Sequence, residues 1–387
     1  MRFRRAATLI LRCTRLLDPN DEADRFPDNK RDGKMSEIQE IISSVEGSVG
    51  RIHLNNPKAL NSLTSGMCET MHELLGAWRD DDTVGAVIVT SEGERAFCAG
   101  GDVRQVSSAG QEDPVAARRF FQIEYAMDTA ISEFPKPYIS LIDGIVMGGG
   151  LGISVNGRYR VMGDNIMAAM PETGIGLLPD VGATAFLNAC PGRTGLYLGL
   201  TGARLDTADA IYAGFGTHHV ASDKHPALLD ALINADYAGD RFAAVDAVLE
   251  QYSSPAGDSK LEALQRDIDR LFAADDMETI VAALQEDGSD VAKRALDEFG
   301  HMSPTSLKMT ARQITSNPGI SIRESLILEY RLVCQVLLRH DFYEGIRAAL
   351  VDKDRNPQWK PATLAEVTSS YIDEHFESLG DQELVLN

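Results

Sequence analysis

The chain has 387 residues, of which 44% are hydrophobic and 25% charged; this is the make-up of a globular protein with room for one sizeable core and a second unit. Its net charge of −21 argues against nucleic acid as a partner, because holding a phosphate backbone takes an excess of Lys and Arg, and no apolar run reaches the ~18–20 residues that span a bilayer. The cysteines, Cys13, Cys68, Cys98, Cys190 and Cys334, are odd in number and include no C-x-x-C pair, which fits a reducing compartment better than a disulfide framework.

Residues 1–34 differ from the rest of the chain. The first 17 carry Arg2, Arg4, Arg5, Arg12 and Arg15 and no acid, the signature of a mitochondrial transit peptide. Residues 18–34 then turn into a mixed-charge stretch with Pro and Gly, and Met35-Ser36-Glu37 reads like a natural start. The expectation is therefore a loose or over-extended tail over 1–35 and a cytoplasmic protein, with mitochondrial targeting as the alternative. From there to about residue 225, β-like runs alternate with helical ones. Residues 49–54 alternate as a strand. Residues 65–78 have helical periodicity, with Met67, Met71, Leu74, Leu75 and Trp78 on one side. Residues 84–90 form a valine-rich strand, 116–134 a helix and 138–142 a buried strand that leads through glycines into another helix. Such alternation predicts βα units. After residue 226 the character changes: 226–235, 240–251, 260–272, 277–285, 291–300, 305–315 and 320–339 all read as helices, giving a core over 36–225 and a helical C-terminal region over 226–387.

Three segments carry candidate chemistry. In Ala96-Phe97-Cys98-Ala99-Gly100-Gly101-Asp102, small residues after a strand let backbone approach a ligand, and free N–H groups there suit a developing oxyanion; by itself the segment reads as a tight turn. In Asp143-Gly144-Ile145-Val146-Met147-Gly148-Gly149-Gly150-Leu151-Gly152, a strand ends and a helix begins on three glycines, and a helix N-terminus offers unpaired donors to an anion or oxyanion. The dinucleotide fingerprint G-x-G-x-x-G fails there, since its last position falls on Ile153 or Val155. In Met170-Pro171-Glu172-Thr173-Gly174-Ile175-Gly176-Leu177-Leu178-Pro179-Asp180-Val181-Gly182, two carboxylates stand in apolar surroundings, as suits an acid, base or nucleophile; helix capping is an equal reading of the pair. Cys98 lacks a recognisable His partner and His218-His219 lacks metal spacing, so both read as structural.

Taken in order, these segments resemble the crotonase (enoyl-CoA hydratase/isomerase) superfamily. Asn56-Pro57-Lys58-Ala59-Leu60-Asn61-Ser62-Leu63 is similar to its CoA-binding segment, and residues 97–102 and 148–150 to its two oxyanion-hole segments. Pro171-Glu172-Thr173 with Pro179-Asp180-Val181-Gly182, the stretch from Asp341 to Ala348, Asp352-Lys353-Asp354 and Pro357-Gln358-Trp359-Lys360-Pro361 resemble the branch that hydrolyses 3-hydroxyisobutyryl-CoA. The resemblance implies an α/β fold, a crotonase-type ββα spiral with C-terminal helices packed over the active site or a neighbouring subunit. It implies that the N–H groups of Ala99 and Gly149 form the oxyanion hole, that Glu172 attacks the thioester or activates water, that Asp180 is the second carboxylate, and that Glu124 contacts substrate. Lys58, Ala59, Leu60, Asp102 and Val103 fall where the family lines its CoA site. No metal or redox cofactor is implied, coenzyme A being part of the substrate, and the implied partners are an acyl-CoA ester and further copies of the chain. Typical hydratases carry a second catalytic Glu just after the glycine run, where this chain has Gly152, and tend to have Gly where it has Asp180. That departure points to hydrolysis, a step of valine breakdown, over hydration or a silent CoA-binding protein.

Overall fold

Strands and helices alternate from the first described element onward. The computed structural model describes residues 39–386; the tail assigned to 1–35, with Cys13, lies outside them. A hairpin opens the fold, β1 (Ile41–Glu46) with β2 (Val49–Leu54), followed by α1 (Ser65–Arg79), β3 (Ala86–Ser91), β4 (Ala96–Cys98), α2 (Val103–Glu112) and α3 (Pro114–Ser132). Next come β5 (Tyr138–Ile142), β6 (Ile145–Met147), α4 (Gly149–Val155), β7 (Tyr159–Met162), β8 (Met167–Ala169), α5 (Ala183–Asn188), α6 (Thr194–Thr201), α7 (Thr207–Tyr212) and β9 (His218–His219).

Two sheets result. One has the order β1-β2-β3-β5-β7-β9 and the other β4-β6-β8. Apart from the antiparallel β1–β2 pair, the strands run parallel. Each turn of chain gives one strand to each sheet before a helix or loop returns it, which is the expected ββα spiral. The larger sheet is covered on both faces, and this explains the unbroken valine-rich β3: Val87 and Val89 enter the main core, while Ala86 and Ile88 enter a second core on the opposite face.

That second core is closed by α8 (His225–Ile233) and α9 (Arg241–Tyr252) through Leu228, Leu232, Val245 and Leu249. The remaining helices are α10 (Lys260–Leu271), α11 (Met277–Asp287), α12 (Asp290–Phe299), α13 (Pro304–Thr315), α14 (Ile322–Val336), α15 (His340–Ile346) and α16 (Ser369–Phe376). Ser303, which N-caps α13, donates its N–H to Thr173 O at 3.1 Å. The C-terminal helices thus pack directly on the turn that carries Glu172. No helix among the described residues is long and apolar enough to cross a membrane.

Candidate active site

Sequence-distant segments converge on a cavity of about 90 Å³ lined by Ala99, Gly101, Glu124, Gly149, Glu172 and Asp180, with Val103, Phe120, Phe121 and Leu177 among its apolar walls. Five of the residues expected at the site, Ala99, Gly149, Glu124, Glu172 and Asp180, and the expected CoA neighbour Val103 therefore face one space. Lys58 and Ala59 belong to a 3-10 turn, Pro57–Ala59, that Leu60 ends with φ +55°. They lie outside the cavity lining but are stitched to its wall, since Leu63 N–H donates to Gly100 O and Asp102 N–H to Leu63 O, each at 2.8 Å. Asp102 caps α2 by accepting from Gln105 N–H at 3.2 Å.

The oxyanion-hole assignment needs one correction. The N–H of Ala99 donates to Leu60 O at 3.0 Å, so it is not free to meet a substrate oxygen. The N–H of Gly101 has no acceptor among the described residues, because Leu63 pairs with the flanking Gly100 O and Asp102 N–H. Gly101 N lies 3.2 Å from where a Cβ on Gly149 would stand, which places the two glycine amides side by side. Gly149 opens α4 and its N–H has no intrahelical partner. The sequence did not distinguish Ala99 from Gly101, because the choice depends on which amide the 56–63 segment consumes.

The carboxyls close on these amides because the glycines lack side chains. A Cβ on Gly149 would sit 2.5 Å from Glu124 Oε1, and one on Gly148 would sit 2.8 Å from Glu172 Oε1. Glu124 comes from α3 and Glu172 from the 3-10 turn Glu172–Ile175, and both are buried. Asp180 Oδ2 accepts the Tyr125 hydroxyl at 2.6 Å. Burial lifts Asp180 to about 7 even though that hydroxyl stabilises its ionised form. Burial, then the neighbouring Asp180, pushes both Glu172 and Glu124 well above the usual carboxylate range. Such a cluster holds its protons to higher pH than isolated carboxyls do, a property of acid–base sites.

Three further groups went unread in the sequence. Tyr125 follows Glu124 and holds Asp180. Asp128 stands one turn beyond Glu124 on the apolar face of α3; it is fully buried beside the Asn156 side chain, and neither carboxyl oxygen makes a hydrogen bond of good geometry among the described residues. It occupies the space beside Gly152, where a Cβ would lie 3.0 Å from Asp128 Oδ1 and 2.8 Å from Val181 Cβ. Glu329 lies fully buried in α14. The available signal for the two acids was an acidic residue inside the apolar stripe of a helix, which needs a reason.

Residues read as structural have structural surroundings. Burial pushes the Cys98 thiol up to about 12, far from a reactive thiolate. His219 bonds Asp164 Oδ1 at 2.9 Å from the end of the larger sheet. Among the described residues no group of three or more His, Cys, Asp or Glu has the arrangement of a metal site.

A parallel two-sheet spiral that brings two glycine amides onto buried carboxyls defines the crotonase class of CoA-ester enzymes. The model of the enoyl-CoA hydratase/isomerase family matches residues 49–376, and the chain belongs to that family. Within it, the chain is 45% identical over 352 residues to 3-hydroxyisobutyryl-CoA hydrolase, mitochondrial, of Xenopus tropicalis, covering 90% of this chain and 91% of that one. It is 41% identical over 351 residues to the Homo sapiens protein of the same name, covering 89% and 90%. The solved structure of a carnitinyl-CoA dehydratase from Mycobacterium thermoresistibile is similar with TM-score 0.84 and 42% identity, covering 90% of this chain and 99% of that one.

Proposed function

We propose that this protein hydrolyses a short 3-hydroxyacyl-CoA thioester, 3-hydroxyisobutyryl-CoA above all, to the free hydroxy acid and coenzyme A, a step of valine breakdown. The observation that carries this reading is the pairing of Asp180 with Glu172 in one cavity while position 152 is glycine. Relatives named as hydrolases at 45% and 41% identity support it.

In this mechanism the thioester oxygen lies between the N–H groups of Gly149 and Gly101. Oxyanion donors of this kind are worth about 10²–10³ in rate each. Ionised Glu172 attacks the carbonyl carbon to give a mixed anhydride, or takes a proton from the water that attacks it; both routes end in the same products. Asp180, poised near neutrality, hands a proton to the departing thiolate and recovers one from the water consumed. Glu124, against Gly149, holds the substrate hydroxyl. Lys58, Ala59, Leu60, Asp102 and Val103 border the CoA moiety. No metal or redox group enters any step.

The second reading, hydration of an enoyl-CoA, has one observation in its favour, the dehydratase named at 42% identity. Thiol release from a panel of short acyl-CoA esters, run beside the loss of enoyl absorbance from crotonyl-CoA, separates the two. Rapid thiol release from 3-hydroxyisobutyryl-CoA with little crotonyl-CoA turnover is the expected result. Rapid hydration with no thiol release from any hydroxyacyl ester would overturn hydrolysis. The vertebrate relatives are mitochondrial by name, and the acid-free, Arg-rich first 17 residues fit that address against the cytoplasmic expectation. Uptake by isolated mitochondria decides between them.

A further inference from the structure

The carboxyl of Glu329 accepts four hydrogen bonds of 2.7 Å. Oε2 takes the N–H of Gly182, and Oε1 takes the N–H and hydroxyl of Thr184 and the hydroxyl of Ser325. The two hydroxyl oxygens are themselves occupied as acceptors. Thr184 Oγ1 receives Gln313 Nε2 at 2.8 Å, and Ser325 Oγ receives Ala185 N–H at 3.2 Å. Every group facing Glu329 therefore offers it a proton and none is placed to take one, so it is held as a carboxylate. Burial pushes its pKa up, and these same four bonds pull against that rise. A buried charge is tolerated only when its partners are complete, and here they are.

What Glu329 grips is the turn that carries Asp180. Val181 has φ +56° and Gly182 φ +92°. A β-branched residue in the left-handed region persists only where its surroundings impose it. Two of the four bonds hold the amides of Gly182 and Thr184, directly after that strained position. Gln313 from α13 donates to Pro179 O at 2.7 Å, on the residue directly before Asp180. The turn has no side-chain cap of its own, Gly182 being the N-cap of α5.

We propose that Glu329 is a positioning residue of the active site: delivered from α14, its carboxylate clamps the turn after Asp180 and so fixes where the Asp180 carboxyl stands. This rests on Asp180 being a working carboxyl in the hydrolysis proposed for this site. The clamp has an electrostatic side. Asp180 is faced by Tyr125, Glu124 and Asp128 from α3, by Glu172 from its 3-10 turn and by Glu329 from α14. The fixed negative charge of Glu329 adds to burial in holding Asp180 protonated at higher pH.

The test is Glu329→Gln, assayed by thiol release from 3-hydroxyisobutyryl-CoA beside Asp180→Asn. Glutamine keeps the volume but loses the charge and places donors where acceptors are needed. The expected result is a fall in kcat of about 10²-fold with KM within about threefold, the mark of a misplaced reacting group. The limb of the kcat/KM profile that reports Asp180 should also move to lower pH by roughly half a unit or more, because a repelling charge has gone. A purely structural role would leave that limb in place. A folded Glu329→Gln enzyme with unchanged kcat and an unmoved limb overturns the proposal. Should the variant fail to fold, Ser325→Ala removes one of the four bonds and leaves the charge: a kcat loss of about three- to tenfold at unchanged KM supports the clamp, and an unchanged kcat sinks it. An Asp180→Asn enzyme at the wild-type rate would instead remove the premise that Asp180 takes part, an outcome distinct from either.

Discussion

Tyr125 and Glu329 act on Asp180 with opposite sign. The Tyr125 hydroxyl, 2.6 Å away, favours the ionised form, so Tyr125→Phe should move the Asp180 limb of the kcat/KM profile to higher pH, the reverse of Glu329→Gln. Limbs moving in the same direction in both variants would show that the limb belongs to another group. At Glu172 the stake is the reaction itself. Glu172→Gln keeps the side-chain volume and removes the charge needed for attack or base catalysis, so turnover should fall by about 10²–10⁴-fold while the dissociation constant for a CoA ester changes little. A variant keeping most of its thioesterase rate would take Glu172 out of the chemistry.

Asp128 poses a stability question at the same scale. Burial, first, and the Glu124 charge, second, raise its folded-state pKa well above the ordinary value. A carboxyl that binds its proton more tightly when folded contributes stability below its unfolded pKa of about 4, and that contribution drains away as pH rises towards the folded value. Asn at this position cannot ionise, and its amide can donate to the adjacent Asn156, whose buried Oδ1 has no partner among the described residues. Asp128→Asn should therefore melt a few degrees above wild type at pH 8 and by much less at pH 5. A gap that does not widen with pH would mean that Asp128 carries no excess proton in the fold.

At the scale of elements, α3 presses against α4 where the hydratases of this family bear their second acid. A side chain at 152 meets Val181 and Asp128 at its first carbon, and a contact of that kind forces backbone or neighbours to move. Gly152→Glu should accordingly lower the melting temperature and should not create crotonyl-CoA hydration; brisk hydration by that variant would show the pocket to be more pliant than its packing. Elements also explain what the sequence made legible. The strand over 49–54 and the strand over 138–142 emerge with the bounds read from their pattern, because one alternates, with Ile52 and Leu54 turned into the main core, and the other is a short buried run, apolar except for Ser140. The helices α8 to α14 fall within a few residues of their periodic stretches. β1 went unread because it is an outer strand with a largely exposed face and little alternation. β4, β6 and β8 went unread because strands of three residues are too short for any period to show.

For the molecule as a whole, the site was legible where it is local in sequence and illegible where it depends on tertiary contact. The 96–102, 143–152 and 170–182 segments announce themselves by composition, and the fold brings all three to one cavity, though the Ala99 amide expected to face it is taken up elsewhere. There the decisive fact is that Leu60 takes the amide, a contact 39 positions apart in the chain. Tyr125, Asp128 and Glu329 were hidden for the same reason. None belongs to a motif, and each matters only because the fold sets it against residues from another turn of the spiral.

The Glu329 clamp has a consequence for how the enzyme comes into being. Gly182 and its anchor are 147 positions apart, and synthesis at ~5–20 residues per second separates their appearance by roughly 7–30 s. Throughout that interval the nascent chain already holds Glu124, Glu172, Asp180 and both glycine segments, yet the turn after Asp180 lacks the partner that keeps Val181 in its strained conformation. Whatever part of the spiral forms on the ribosome does so before the Asp180 turn has its clamp. A chain cut short by a frameshift after the sheets are complete would lack that clamp, so the activity proposed here would arrive only once residue 329 of 387 has been made.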